Sequence, residues 1–150
     1  NERFDLIIMI MCDFCALSSV QRKQMLSKFY AVLESGGQVL LDVYSLKAFE
    51  IYKEGSLSEP DLLNGFWAEG EYLGHLNKFK YEDEKVTLEK YTIVEPDRER
   101  TIYNWLKYFS PKELENEFKE AGFVVENVYS DVAGTPFNNE STEFAIVAKK

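Results

Sequence analysis

An acidic residue and two cysteines lie directly after the first apolar run of the chain. Cys12 and Cys15 have the C-x-x-C spacing of a redox pair or of half a zinc site. The sequence contains no third cysteine and only one histidine, His75, so it predicts two buried thiols and no metal site. Asp13 can orient a ligand or accept its proton, or it can bond its own backbone in a loop, and both interpretations stay open.

Two groups of aromatic residues offer surfaces to a ligand. Phe14 and Tyr44 follow the first two apolar runs, where they either line a pocket or pack in the core. A second group in the middle of the chain either forms a small core or closes over a ligand. The residues of this second group are Trp67, Tyr103 and Trp105, and His75 lies in the same part of the chain. For His75, a hydrogen-bonded structural role competes with a catalytic or binding role.

Buried strands and a helix must position these side chains. The non-alternating apolar run Leu6–Met11 predicts a strand covered on both faces, and Val39–Val43 predicts a second one. Between them, Ser18 and Gln21 have the spacing of a capping box that starts a helix. The pair Gly36-Gly37 is expected to end that helix. The segments therefore predict a right-handed βαβ unit with parallel strands.

The middle and the end of the chain follow other patterns. Strand-like segments joined by short turns predict an antiparallel meander of Tyr72–Tyr81, Lys85–Val94 and Arg100–Phe109. Ser110-Pro111-Lys112-Glu113 predicts a capped helix start, and Gly122 predicts its end. A short helix is expected at 45–53, and two more strands at Phe123–Tyr129 and Phe144–Ala148. The sequence thus predicts α/β flanks at 1–55 and 110–150 around an antiparallel β insert at 66–109.

Composition limits the classes of partner. The 150 residues carry 17 basic and 26 acidic side chains, and the net charge of -9 repels phosphate backbones, which argues against nucleic-acid binding. The longest apolar run is far shorter than the ~20 residues that a membrane span needs. Without a signal peptide, a cytoplasmic location is expected. Because an apolar strand follows Asn1 almost at once, we expect a truncated domain that self-associates through Leu6–Met11.

The order of several motifs resembles the C-terminal part of class I S-adenosylmethionine (SAM)-dependent methyltransferases with an inserted β-meander. The chain has a similar L-x-x-G-G start to a strand at Leu33–Val43 and ends in a similar apolar strand at Phe144–Lys150. The other similar segments are Phe4–Ile7, Met11–Ser18, Phe109–Leu114 and Glu120–Phe123. The resemblance implies an α/β fold: a partial Rossmann-like methyltransferase sheet with flanking helices, plus the antiparallel β insert.

The resemblance also implies a function, a cofactor and site residues. The intact protein would transfer a methyl group from SAM to a small molecule, and the insert would be a lid or wall of the acceptor site. The family's glycine-rich SAM loop has no counterpart here, so we expect the chain alone to be inactive and to bind SAM weakly or not at all. Asp13 is the implied catalytic residue, and the implied cofactor contacts are Met11, Cys12 and Asp13. The implied acceptor contacts are Phe14, Tyr44, Trp67, His75, Tyr103 and Trp105.

Two other functions stay open. A non-catalytic binding or assembly module can keep this fold without the cofactor loop, and part of a nicotinamide-dependent oxidoreductase would share the sheet topology. The antiparallel last strand and the aromatic insert favour the methyltransferase. The whole interpretation requires that Leu6–Met11 and Val39–Val43 form adjacent, parallel strands.

Overall fold

The computed structural model describes residues 2–150, which form eight strands and three α-helices. The strands are β1 (Phe4–Met9), β2 (Leu33–Tyr44), β3 (Gly55–Pro60), β4 (Leu73–Tyr81), β5 (Val86–Val94), β6 (Glu99–Lys107), β7 (Val124–Tyr129) and β8 (Glu143–Lys149). The helices are α1 (Ser19–Val32), α2 (Leu46–Ile51) and α3 (Pro111–Glu120), and a short 3-10 helix, Asp13–Ala16, follows β1. None of the helices in this described range is long and apolar enough to cross a membrane.

The chain is a mixed α/β protein with two compact units, each built on its own four-stranded sheet. The first unit combines residues 2–51 with 107–150, and the second comprises 52–106. In the first unit the strand order is β1-β2-β8-β7. β1 and β2 are parallel, with Ile7 opposite Val39, so the required adjacency and direction are confirmed. β8 is antiparallel to both β2 and β7.

The helix α1 starts as predicted and ends earlier than predicted. Ser18 Oγ accepts the backbone N–H of Gln21, and the Gln21 side chain accepts the N–H of Ser18. The predicted helix end was wrong, because β2 begins directly after α1 and contains both glycines. Gly36 has a φ of +83°, and a Cβ on Gly37 would lie 3.1 Å from the Phe4 carbonyl oxygen. The glycines therefore allow a left-handed residue and a close approach to β1.

The helix α3 is fixed by a cap and by two ion pairs. Ser110 Oγ accepts the N–H of Glu113, as predicted. The Glu113 side chain pairs with Lys107 at 2.8 Å. The predicted capping box is therefore incomplete, because it also requires the Glu113 side chain to accept the Ser110 N–H. Farther along, Glu117 accepts two-pronged hydrogen bonds from Arg22 of α1, which is only 7% exposed. The ion pair thus joins α1 and α3 within the first unit.

β1 is an edge strand of the described sheet, and the apolar side chains on one of its faces are exposed. It pairs only with β2, and Phe4, Leu6 and Ile8 are 47%, 51% and 55% exposed. The prediction that this strand is covered on both faces was wrong, because one face is exposed, and the strand ends at Met9 and not at the predicted Met11. The core of the unit lies instead around the two central strands, where Val39, Leu41, Phe144 and Ile146 are fully buried.

The second unit has the strand order β3-β4-β5-β6. β3 is antiparallel to β4, and β4 is antiparallel to β5. We did not predict β3, so the sheet begins before the insert expected at 66–109. The last strand also ends before the predicted Phe109, which instead forms an isolated parallel bridge with Ser45 in the first unit. The second unit has its own small core, made of Leu62, Tyr72, Leu76, Tyr91 and Ile93.

Candidate functional site

Two consecutive residues after β1 have a left-handed backbone. The φ angles are 71° for Met11 and 58° for Cys12, and this conformation costs about 1–2 kcal/mol for each residue that carries a side chain. Cys12 N–H donates to Asp42 Oδ1 at 2.8 Å, and Met11 N–H donates to Oδ2 at 3.3 Å. A hydrogen bond to a charged acceptor contributes about 1.5–3 kcal/mol, which is enough to offset the strain. Asp42 therefore holds this turn from the neighbouring strand β2.

Asp13 follows the turn directly and opens the 3-10 helix. Its side chain is exposed, and within residues 2–150 it makes no hydrogen bond or ion pair. In the described part of the chain, Asp13 therefore does not bond its own backbone, in contrast to one of the two interpretations of the sequence. A solvent-facing carboxylate at the carboxyl end of a parallel strand is free to meet a ligand.

Cys12 and Cys15 are buried, unbridged thiols. Their mutual hydrogen bond and their burial raise the pKa of Cys12. A raised thiol pKa disfavours the thiolate, which is the nucleophilic and metal-binding form. Across residues 2–150, no group of three or more His, Cys, Asp and Glu side chains could hold a metal ion. Cys15 Sγ instead accepts the backbone N–H of Tyr44 at 3.2 Å, so this thiol joins the 3-10 helix to the end of β2.

The two aromatic residues at this edge have different environments. Phe14 is fully buried and its ring lies 6.1 Å from that of Phe109, so it is a core residue with no surface for an acceptor. Tyr44 is partly exposed, and its ring lies 5.7 Å from that of Tyr108. Burial and the neighbouring Cys12 thiol raise the pKa of Tyr44. Of the two, Tyr44 is the side chain that a ligand can reach.

Ser45 fixes the chain where β2 ends. Its Oγ accepts the backbone N–H groups of Lys47 and Ala48, which starts the predicted short helix, α2. The same hydroxyl donates to the Ser141 carbonyl at 2.6 Å. Sequence reasoning did not single out Ser45, although a serine directly before a short amphipathic segment is a capping signal. Asp42, on the strand β2, bonds a turn 30 residues earlier in the sequence.

In the second unit, two of the predicted acceptor residues have structural partners. Trp67 packs against the small core, with its ring 4.9 Å from that of Tyr91. His75 Nδ1 lies 2.7 Å from Ser58 Oγ, and these residues are opposite each other on β4 and β3. Both contacts fit the structural interpretations left open for these side chains.

The other two predicted residues of this unit are exposed aromatic rings on β6. Tyr103 is 56% exposed and Trp105 is 44% exposed. The Trp105 ring lies 5.6 Å from that of Tyr81 on β4. Strand alternation places Tyr81 on the face opposite the small core, since Leu76 of that core lies an odd number of residues away. The predicted aromatic group is therefore divided between the two faces of the sheet.

No protein-family model matches the sequence, and no curated protein matches it either. Solved structures do match. The CcbJ methyltransferase of Streptomyces caelestis superposes with a TM-score of 0.68 at 16% identity, over 99% of this chain and 57% of that one. A SAM-dependent methyltransferase of Clostridium acetobutylicum gives a TM-score of 0.72 at 12% identity, over 99% and 59%. The chain has a class I methyltransferase-like fold.

The chain spans little more than half the length of these methyltransferases. The same holds for the sugar N-methyltransferase KedS8 of a Streptoalloteichus species, where the TM-score is 0.59 at 16% identity and the match covers 98% of this chain and 57% of that one. At such identities the likeness concerns the methyltransferase-like fold itself.

Proposed function

We propose that this chain forms the acceptor-side part of a SAM-dependent methyltransferase that acts on a small molecule. The observation that carries the proposal is the turn after β1, where an exposed Asp13 follows two left-handed residues at the carboxyl end of a parallel strand. Ligands of open α/β sheets bind at such ends. The neighbours in fold support the same class of reaction, since they include a sugar N-methyltransferase and a glycopeptide N-methyltransferase.

The residues of this turn suit one part of SAM. The sulfonium and amino groups of SAM are cationic, and an exposed carboxylate attracts both. We propose Met11, Cys12 and Asp13 as contacts to this part of the cofactor. The sequence carries no G-x-G-x-G loop to hold the rest, so the chain alone would bind SAM weakly.

The proposed chemistry at the turn is acceptor alignment and proton removal. Bound SAM supplies a methyl group that is transferred in line to the acceptor. Asp13 would accept a hydrogen bond from the acceptor, orient it, and take the proton that it loses. Tyr44 donates its backbone N–H to Cys15 of the 3-10 helix, and its ring would form an apolar wall at the same edge and exclude water.

Within the second unit, we propose that the acceptor contacts the exposed aromatic face of the sheet. Tyr103 and Trp105 offer open ring faces, which stack on the flat or apolar faces of small molecules. Trp67 and His75 already have partners within the sheet, so we assign them supporting roles.

The decisive experiment is a titration of the 150-residue chain with SAM, followed by the backbone amide signals in NMR spectra. We expect saturable shifts at Met11, Cys12 and Asp13, with a dissociation constant of about 1 mM or weaker. Asp13→Asn should weaken binding about tenfold, because it removes the charge that attracts SAM. Asp83→Asn, at an exposed aspartate in the β4–β5 turn, is the matched control and should bind like the wild type.

Other outcomes of the titration would favour the other functions. Micromolar binding would contradict the expectation that the chain alone binds weakly. Shifts at the same amides with NADH and not with SAM would favour an oxidoreductase. The absence of shifts with either compound would contradict the proposed contacts of Met11, Cys12 and Asp13 with the cofactor and would favour a non-catalytic module.

A further inference from the structure

Asp42 is a buried carboxylate whose two oxygens both serve the turn after the neighbouring strand. The side chain belongs to β2 and is only 7% exposed. Its oxygens accept the N–H groups of Cys12 at 2.8 Å and of Met11 at 3.3 Å. These backbone groups are its only hydrogen-bond partners within residues 2–150. The function of this carboxylate therefore lies in the turn and not in an ion pair.

The turn needs such support because of its conformation. Met11 and Cys12 both have positive φ angles, at 71° and 58°, although neither is glycine. Residues with side chains keep this conformation only where their surroundings hold them, and such residues concentrate at functional sites. The next residue along the chain is Asp13, whose direction depends on the two residues before it.

We propose that Asp42 is a positioning residue: its carboxylate fixes the left-handed pair Met11–Cys12 and so sets the place of the Asp13 carboxylate at the ligand site. The inference rests on the proposed function for its meaning. Asp42 is not a catalytic residue here, because its oxygens already accept two backbone N–H groups and its side chain is buried. An amide in its place keeps the size but loses one of the two acceptors.

The structure also offers a matched control for this role. Asp131, in the loop after β7, accepts the N–H groups of Ala133 and Thr135 at 2.9 and 3.1 Å. It also accepts the Thr135 hydroxyl. Asp131→Asn therefore removes the same kind of carboxylate cap from a turn of the same unit, three strands away from β1.

The test measures the turn and the ligand separately. In Asp42→Asn, we expect hydrogen exchange at the Met11 and Cys12 amides to be at least about tenfold faster than in the wild type. Cys12 should also react faster with a thiol reagent, because the turn that covers it is loosened. Asp131→Asn should leave both readouts unchanged. Asp42→Glu keeps both carboxylate oxygens on a side chain that is one methylene group longer. Comparing it with Asp42→Asn separates the effect of losing the charge from the effect of changing the geometry.

The ligand readout is the affinity for S-adenosylhomocysteine, measured by the same NMR titration. Asp42→Asn should weaken it at least about fivefold, while Asp131→Asn keeps the wild-type value. Unchanged exchange at Met11 and Cys12 in Asp42→Asn would overturn the proposal, and so would faster exchange with undiminished affinity. If the wild type binds no S-adenosylhomocysteine, the proposed cofactor contacts of the turn fail, while the exchange data still decide whether Asp42 holds the turn.

Discussion

β1 and β8 are similar in sequence and opposite in exposure. Both are short strands rich in aliphatic side chains. β8 lies between β2 and β7, and its Phe144 and Ile146 are fully buried, whereas Leu6 and Ile8 of β1 are 51% and 55% exposed. An apolar run therefore predicts that a strand forms. Whether the strand is covered depends on how many neighbours it pairs with and what packs on its faces.

The contrast also places the candidate site within the unit. The turn of Met11 to Asp13 follows the exposed strand, not the buried one. Regions with few buried contacts open most easily, and ligand sites are drawn from them. The bonds from Asp42 and Cys15 counter this tendency by joining the turn to the well-packed strand β2. The site thus combines a weakly packed edge with anchors in the core.

The largest effect is expected for Ile146→Ala in β8. The side chain is fully buried, so its removal leaves a cavity and should lower the free energy of unfolding by about 2–5 kcal/mol. Ile8→Ala in β1 is the matched control, and it should change this free energy by less than about 1 kcal/mol. Urea denaturation followed by circular dichroism measures both. Equal losses in the two variants would contradict the contrast between the strands.

A smaller loss is expected where the exposed and buried strands meet. A Cβ on Gly37 of β2 would lie 3.1 Å from the carbonyl oxygens of Glu34 and Phe4. Backbone atoms in paired strands cannot move aside freely, so Gly37→Ala should destabilise the chain by about 1–3 kcal/mol. Gly55→Ala is the control, because a Cβ there meets nothing within 4 Å. A Gly37→Ala variant as stable as the wild type in urea would show that β1 shifts enough to accommodate the added methyl group.

The exposed edge should also determine self-association. We propose that β1 pairs with β1 of a second copy, because its outer edge and its apolar face are open. Leu6→Lys should abolish a concentration-dependent dimer in sedimentation velocity, with a change in folding free energy below about 0.5 kcal/mol. Leu57→Lys lies on β3, the edge strand of the other sheet, at a similar 47% exposure, and should leave the dimer intact. A wild type that stays monomeric at high concentration would refute the pairing.

Local signals in the sequence predicted the local features correctly. The capping sequence at Ser18 starts α1, and Ser110-Pro111 starts α3, because each signal acts within one helical turn. The parallel pair β1–β2 also followed from hydrophobic patterning. β3 was missed because Gly, Ser and Pro have low strand propensity, and its pairing with β4 stabilises it regardless.

Features that depend on distant partners could not be predicted. Asp42 contacts a turn 30 residues away, and no pattern around it indicates that contact. Phe14 follows a strand, as a pocket residue would, yet it packs against Phe109 from a distant part of the chain. The glycine pair was misassigned because a left-handed residue suits a helix end and a strand irregularity equally well.

The smallest expected effect concerns Tyr44 at the end of β2. Burial raises its pKa above the usual phenol value of about 10, so the folded state holds the phenolic proton more tightly than the unfolded state. This contribution to stability is fully present below about pH 10 and is lost as the pH rises through the folded-state pKa. Urea midpoints measured from pH 8 to 11 should therefore fall less steeply in Tyr44→Phe than in the wild type. Identical slopes in the two proteins would show that the Tyr44 phenol is as open to water in the folded state as in the unfolded state.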